Sequence, residues 1–174
     1  LVEESGMAIA ADKQAKMYGK IKGAYYQMKG KKSVGLIDVD EKMGMETYAK
    51  PMGVVGAILP VTNGEATPVV KALMSLKTRN AIILSPHPKA RRTNLAVVEA
   101  IRAAITKLGY PADLVQAVDP EFVSIETSQE LMKQVDFILA TGGSALVKQA
   151  YSSGNPAIGV GTGNVVSIVD GTTD

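Results

Sequence analysis

The chain has 174 residues, 46% of them hydrophobic and 21% charged, proportions that suit one well-cored globular domain and exclude disordered and collagen-like classes. Its 19 basic and 17 acidic side chains leave a net charge of +2, without the concentrated basic face or interleaved aromatics of a nucleic-acid groove. No apolar run approaches the roughly 18 residues that span a bilayer, and with no cysteine and one histidine neither a disulfide nor a thiolate or His-rich metal site can be built from it.

Neither nucleic acid nor membrane is therefore an expected partner, no metal is expected, and the cytosol is the expected compartment. The chain opens on Leu1 inside an amphipathic segment, and residues 170–174 read as the turn leaving a strand. We therefore expect it to be a piece of a longer protein. Over residues 5–28, Met7, Ala11, Met17, Ile21, Tyr25 and Met28 recur on one side among lysines 13, 16, 20 and 22, predicting an amphipathic helix with a Met/Tyr packing stripe. Gly30 ends it, and extended stretches follow at 34–37 and 46–49.

From residue 53 the pattern changes to short apolar runs alternating with amphipathic helices. The run 53–60 reads as a buried strand. Thr67 and Pro68 read as the cap and first residue of a helix with Val69, Val70, Leu73 and Leu76 on one face. The strand 81–85 precedes a helix carrying Leu95, Val98, Ile101, Ile105 and Leu108, stopped by Gly109. A strand at 114–118, a helix opened by a capping box from Thr127 to Glu130, a strand at 136–140 and a helix from Ser144 complete the series. Such alternation predicts an α/β fold: a Rossmann-like parallel sheet with helices on both faces and right-handed crossovers. Ligands of such sheets bind beyond the carboxyl ends of the strands.

Three strand ends hold the informative residues. In PVTN (60–63), Asn63 either forms an Asx-turn or presents its amide as an oxyanion donor. In SPHP (85–88), Ser85, Pro86 and His87 form a stiff strand exit able to meet a ribose, with Lys89, Arg91 and Arg92 at the start of the next helix. Cations there oppose the helix dipole. Either the turn is simply solvated, or Arg91 and Arg92 contact a phosphate, the 2'-phosphate of NADP or the 3'-phosphate of CoA. In ATGGS (140–144), Thr141, Gly142 and Gly143 either let a pyrophosphate approach a helix N-terminus or merely make a tight turn. A further glycine group, GVGTGN (159–164), fails the dinucleotide fingerprint, since Asn164 stands at its sixth position and a strand-like stretch follows.

Taken in order, SLKTRNAIILSPHP (75–88), ILATGGSALVKQAYSSGNPAIGVGTGN (138–164) and the Thr62–Asn63 pair resemble the aldehyde dehydrogenase superfamily, specifically its CoA-acylating branch, over essentially the whole chain. The resemblance implies a nucleotide-binding domain over residues 1–174, with an N-terminal helix and extended segment over about 1–50 and a parallel α/β core over about 51–174. The catalytic domain and its nucleophilic cysteine would lie outside the chain, leaving the piece itself inactive. By the same resemblance Asn63 is the oxyanion donor, Ser85, Pro86 and His87 lie along the adenosine, and Thr141, Gly142 and Gly143 lie near the pyrophosphate and nicotinamide. Hydrolytic members place a glutamate, the general base for water, in the segment here written AIGVGTGN (157–164), which holds no carboxylate. Without one to activate water, a thioester waits for a thiol.

The implied reaction turns an aldehyde into an acyl-CoA through a cysteine thioester, with NAD or NADP as cofactor and CoA as co-substrate. Acetaldehyde is the first choice, then propionaldehyde or sulfoacetaldehyde, although Gly64 and Glu65 depart from the Pro and small polar residue of acetaldehyde enzymes. The intact protein would be a cytoplasmic homo-oligomer, or one housed in a bacterial microcompartment. Rival readings are a hydrolytic aldehyde dehydrogenase, an acyl-phosphate reductase of the same superfamily, and a non-catalytic nucleotide-binding or scaffold module.

Overall fold

The computed structural model describes residues 1–7 and 9–172. Two helices, α1 (Val2–Ser5) and α2 (Ala10–Met28), come first. Met17, Ile21 and Met28 of α2 are half-buried, whereas Met7 and Tyr25 of the expected stripe are exposed. The stripe is narrower than expected because within this chain α2 rests chiefly on one neighbouring helix. The two extended stretches are the arms of one antiparallel hairpin, β1 (Gly35–Asp40) and β2 (Met45–Ala49), in which Leu36 faces Tyr48. Its turn is held by Asp40, whose Oδ1 accepts from the amides of Lys42 and Met43, each at 3.0 Å.

The rest is a single parallel sheet: β3 (Val54–Ile58), β4 (Ala81–Ser85), β5 (Val115–Ala117), β6 (Phe137–Thr141) and β7 (Ala157–Val160), in the order β5-β4-β3-β6-β7. Parallel neighbours need crossovers, here the helices α3 (Thr67–Lys77), α4 (Arg91–Lys107), α5 (Ile125–Gln134) and α6 (Ser144–Tyr151). Strand side chains alternate between two cores. Val55, Ala57, Ile82 and Leu84 pack with Ala72 of α3 and Val98 of α4. Ile58, Ile138 and Ala140 pack on the other face with Met132 of α5 and Ala150 of α6. The expected doubly covered α/β sheet is the observed one. Among the described residues, no helix is long and apolar enough to cross a membrane.

Thr67 is not a cap: the chain runs from a 3-10 turn (Val61–Asn63) through Ala66, already in helical conformation, straight into α3. The side of α3 that is fully buried carries Pro68, Lys71, Ala72 and Ser75, while Val69, Val70, Leu73 and Leu76 are only half-buried. The cap of α5 is Ser124, whose Oγ accepts from the Thr127 amide at 3.0 Å, not the Thr127–Glu130 box. Glu130 instead meets Lys133 and Gln134 within the helix. On α4, Leu108 is 73% exposed and lies at the C-cap, beyond the packed face. The sheet ends at β7, and the strand-like stretch 164–170 joins no ladder among the described residues. Of the turn read at 170–174, positions 173 and 174 lie outside them.

The N-terminal edge of the sheet is tied by Asp136, whose Oδ2 accepts from the Val54 amide at 2.7 Å. The carboxylate passes so close to Gly53 that a Cβ there would fall 2.2 Å from Oδ2, and Gly53 sits at φ 121°. Both steric room and conformation exclude a side chain. We expect Gly53→Ala to lower the unfolding free energy by about 2 kcal/mol or more, measured in urea. Gly19→Ala, in open space on α2, should not.

Candidate active site

From β3 the chain winds toward β4 and β5; it then returns to build β6 and β7 on the other side of β3. At such a switch point the connections leaving the carboxyl ends part and open a crevice. Lys71 of α3 lies at that point: its ammonium donates to the carbonyls of Ile58 on β3, at 3.1 Å, and Leu139 on β6, at 2.7 Å. The residue is buried, and burial pushes its pKa down to about 7. A carbonyl pair solvates an ammonium less well than water does, so desolvation dominates.

Beyond the strand ends is a cleft of about 340 Å³ whose lining includes Ile58, Leu59, Pro86, His87, Ser128, Gly143 and Leu146. Pro86 and His87 enter it as expected from a rigid strand exit. His87 Nδ1 accepts from the Lys89 amide at 3.1 Å, which leaves the proton on Nε2 as a donor. Burial first, and then the Lys89 charge, lower its pKa below the ordinary value. Ser85 is different. It is fully buried, its hydroxyl is shared with Ser128 at 2.9 Å, and it does not line the cleft, whereas Ser128 does.

On the β6 side only Gly143 of the three expected residues lines the cleft; Thr141 ends β6 half-buried in register with Val160. Gly142 donates its amide to the Val160 carbonyl at 3.1 Å, and a Cβ on it would come within 2.5 Å of Leu146. Gly143 is the N-cap of α6 with open space around its Cα and no capping side chain. The first-turn amides of α6 are thereby left to the cleft side, which suits an anion.

Asn63 closes the 3-10 turn that follows β3. The turn is not an Asx-turn: Oδ1 is buried without a hydrogen-bond partner, and Nδ2 reaches only the Thr62 hydroxyl, at 3.5 Å. Its amide is therefore not consumed by local backbone.

The helix end that carries the basic cluster already has an anion from within the chain. The carboxylate of Glu4, on α1, accepts from the amides of Arg92 (2.8 Å) and Thr93 (2.9 Å) and from the Thr93 hydroxyl (2.7 Å), with Arg92 Nε at 4.0 Å. The anion that balances this helix end is internal. Burial raises the pKa of Glu4, but these hydrogen bonds outweigh it and hold the carboxyl below its usual range. Arg91 donates to the Pro120 carbonyl at 3.4 Å, and neither arginine lines the cleft. The dipole misfit therefore gives no argument for an external phosphate on Arg91 or Arg92.

Sequence reading missed Lys71, Glu4 and Ser128. Lys71 had a signal, since it shares a helix phase with Pro68 and Ser75 on a face of small residues; Glu4 and Ser128 had none, because their partners lie 88 and 43 residues away.

The aldehyde dehydrogenase family model matches residues 3–163. The chain belongs to this family. It is 49% identical to a sulfoacetaldehyde dehydrogenase from Acholeplasma sp over 97% of its own length and 34% of the relative's. An acetylating aldehyde dehydrogenase from Geobacillus thermoglucosidasius superposes with a TM-score of 0.86 at 39% identity, covering 94% of this chain and 36% of that one. A propionaldehyde dehydrogenase from Rhodopseudomonas palustris, solved with bound CoA and an acylated cysteine, gives 0.72 at 34% identity over the same shares. The chain thus spans about a third of the length of these aldehyde dehydrogenases.

Lys71 makes a sign-specific prediction. Its folded-state pKa of about 7 lies below the ordinary 10.5, so between those values the unfolded chain binds more protons and the unfolding free energy rises with pH. Urea unfolding at pH 7, 8 and 9 should show that rise, and Lys71→Met should flatten it.

Proposed function

We propose that this chain is the nucleotide-binding domain of a CoA-acylating aldehyde dehydrogenase, whose nucleophilic cysteine is supplied by the rest of the polypeptide. The observation that carries the reading is Asn63: a half-buried amide with no strong local partner, on the turn that follows β3, the strand whose Ile58 and Leu59 line the switch-point cleft. When a thiolate attacks an aldehyde, charge builds on the carbonyl oxygen, and a fixed amide N–H lowers that barrier. Bound NAD supplies the hydride acceptor. Pro86, His87 and Gly143 would hold the nucleotide, His87 through its Nε2 donor and Gly143 by letting a pyrophosphate approach the open end of α6.

The acyl group then goes to CoA. Segment 157–164 carries no carboxylate, so nothing there activates water against the thioester. NAD is favoured over NADP because the amides at the start of α4, a ready seat for a second phosphate, are taken by Glu4. Acetaldehyde is the first aldehyde to test and sulfoacetaldehyde the second; beside the Asn63 turn the Lys13 ammonium is balanced by Glu65 at 3.5 Å. The exposed Ile37, Val39, Met45 and Tyr48 of the hairpin suit a homo-oligomer.

Two measurements on the full-length polypeptide test this. Acetaldehyde oxidation should require CoA and run faster with NAD than NADP; turnover undiminished without CoA would point to hydrolysis instead. Asn63→Ala should reduce kcat at least about tenfold, one lost oxyanion donor costing on the order of a hundredfold or more, and an unchanged kcat would remove Asn63 from the mechanism.

A further inference from the structure

Asn63 is held by a turn with little internal bonding, and what fixes that turn comes from 49 residues upstream. The Lys13 ammonium, on α2, donates to the carbonyl of Thr62, the residue immediately before Asn63, and lies 3.5 Å from Oε1 of Glu65, two residues after it. Both side chains are nearly sequestered, at 12% and 11% exposure. Glu65 is 8% exposed overall and neither of its oxygens has a hydrogen-bond donor. Its charge is thus balanced through Lys13 without being saturated. Gly64, between them, is buried against Ala90, so close that a Cβ would lie 2.8 Å from it. The turn is therefore gripped on both flanks of Asn63 while the amide itself stays unengaged.

We propose that Lys13 is a positioning residue for Asn63: its ammonium bridges the Thr62 carbonyl and the Glu65 carboxylate and fixes the direction in which the Asn63 amide points. This rests on the reading of Asn63 as the oxyanion donor. An amide on a short turn with few internal bonds samples several orientations, and a donor displaced by an ångström loses much of its effect on a transition state. A lysine suits the task because one ammonium can donate to the Thr62 carbonyl while its charge balances the Glu65 carboxylate 3.5 Å away. None of Lys13, Thr62 and Glu65 lines the nucleotide cleft, so the effect should fall on turnover and not on nucleotide affinity.

The test is a double-mutant cycle in the full-length polypeptide, reading kcat for CoA-dependent aldehyde oxidation and the dissociation constant for NAD. Lys13→Met should lower kcat at least about tenfold with NAD affinity unchanged, and Lys13→Met combined with Asn63→Ala should be no slower than Asn63→Ala alone. Because Lys13→Met strands the Glu65 carboxylate, the pair Lys13→Met/Glu65→Gln provides a variant without a buried unpaired charge; it should remain slow while binding NAD normally. A slow Asn63→Ala beside an unchanged Lys13→Met, or losses that multiply in the double variant, overturns the role of Lys13 alone. An unchanged Asn63→Ala overturns the oxyanion reading and this proposal together. Recovery of full kcat in Lys13→Met/Glu65→Gln also overturns it, because the defect would then come from the stranded charge.

Discussion

The layout of the sheet's carboxyl edge depends on how β3 and β6 are joined there. They are hydrogen-bonded neighbours, Ile58 opposite Ala140, yet the chain leaves them in opposite directions. Lys71 bonds one carbonyl of each strand with a single buried ammonium, which holds the strand ends together just where the loops part. A sheet without that divergence would offer no crevice, and strand ends free to splay would offer one of no fixed shape. The cost is a lysine whose charged form is disfavoured by burial, a burden that two good acceptors only partly relieve.

On this frame each loop has a different task, set by what its side chains already touch. Ser85 looks like a ligand-binding hydroxyl in the sequence but is committed to Ser128, so it joins β4 to α5. Pro86 and His87, one and two residues on, reach the surface of that cleft. Gly142 and Gly143 divide their work likewise. Gly142 continues the ladder to Val160 and is crowded by Leu146, while Gly143 stands in open space and caps α6 with no side chain.

The N-terminal helices, which bury little of their own surface, act mainly through charge. Glu4 caps α4 across 88 residues and neutralises a helix end that carries Arg91 and Arg92. Lys13 reaches the turn of Asn63 in the same way. Two polar contacts from one short stretch of chain thus bear on two loops at the carboxyl side of the sheet. The sulfoacetaldehyde dehydrogenase and the acetylating aldehyde dehydrogenase that this chain resembles are about three times as long.

How much of this was legible in the sequence follows from the range of each interaction. Apolar runs at 53–60, 81–85 and 136–140 and the amphipathic stripes between them define strands, helices and the α/β class, because period and length are local properties that burial enforces. The strand-end residues Asn63, His87 and Gly143 were equally visible, since a parallel sheet directs its loops to one edge. Caps were read less well: Thr67 and Thr127 both have the right chemistry, but the chain enters α3 already coiled and Ser124 reaches α5 first. What only the tertiary structure decided are the partners of charged and polar side chains. That Glu4 answers the cations of α4, that Ser85 turns inward and that Lys71 spans two strands depend on contacts across 43 to 89 residues, and no local pattern encodes a distance that only folding creates.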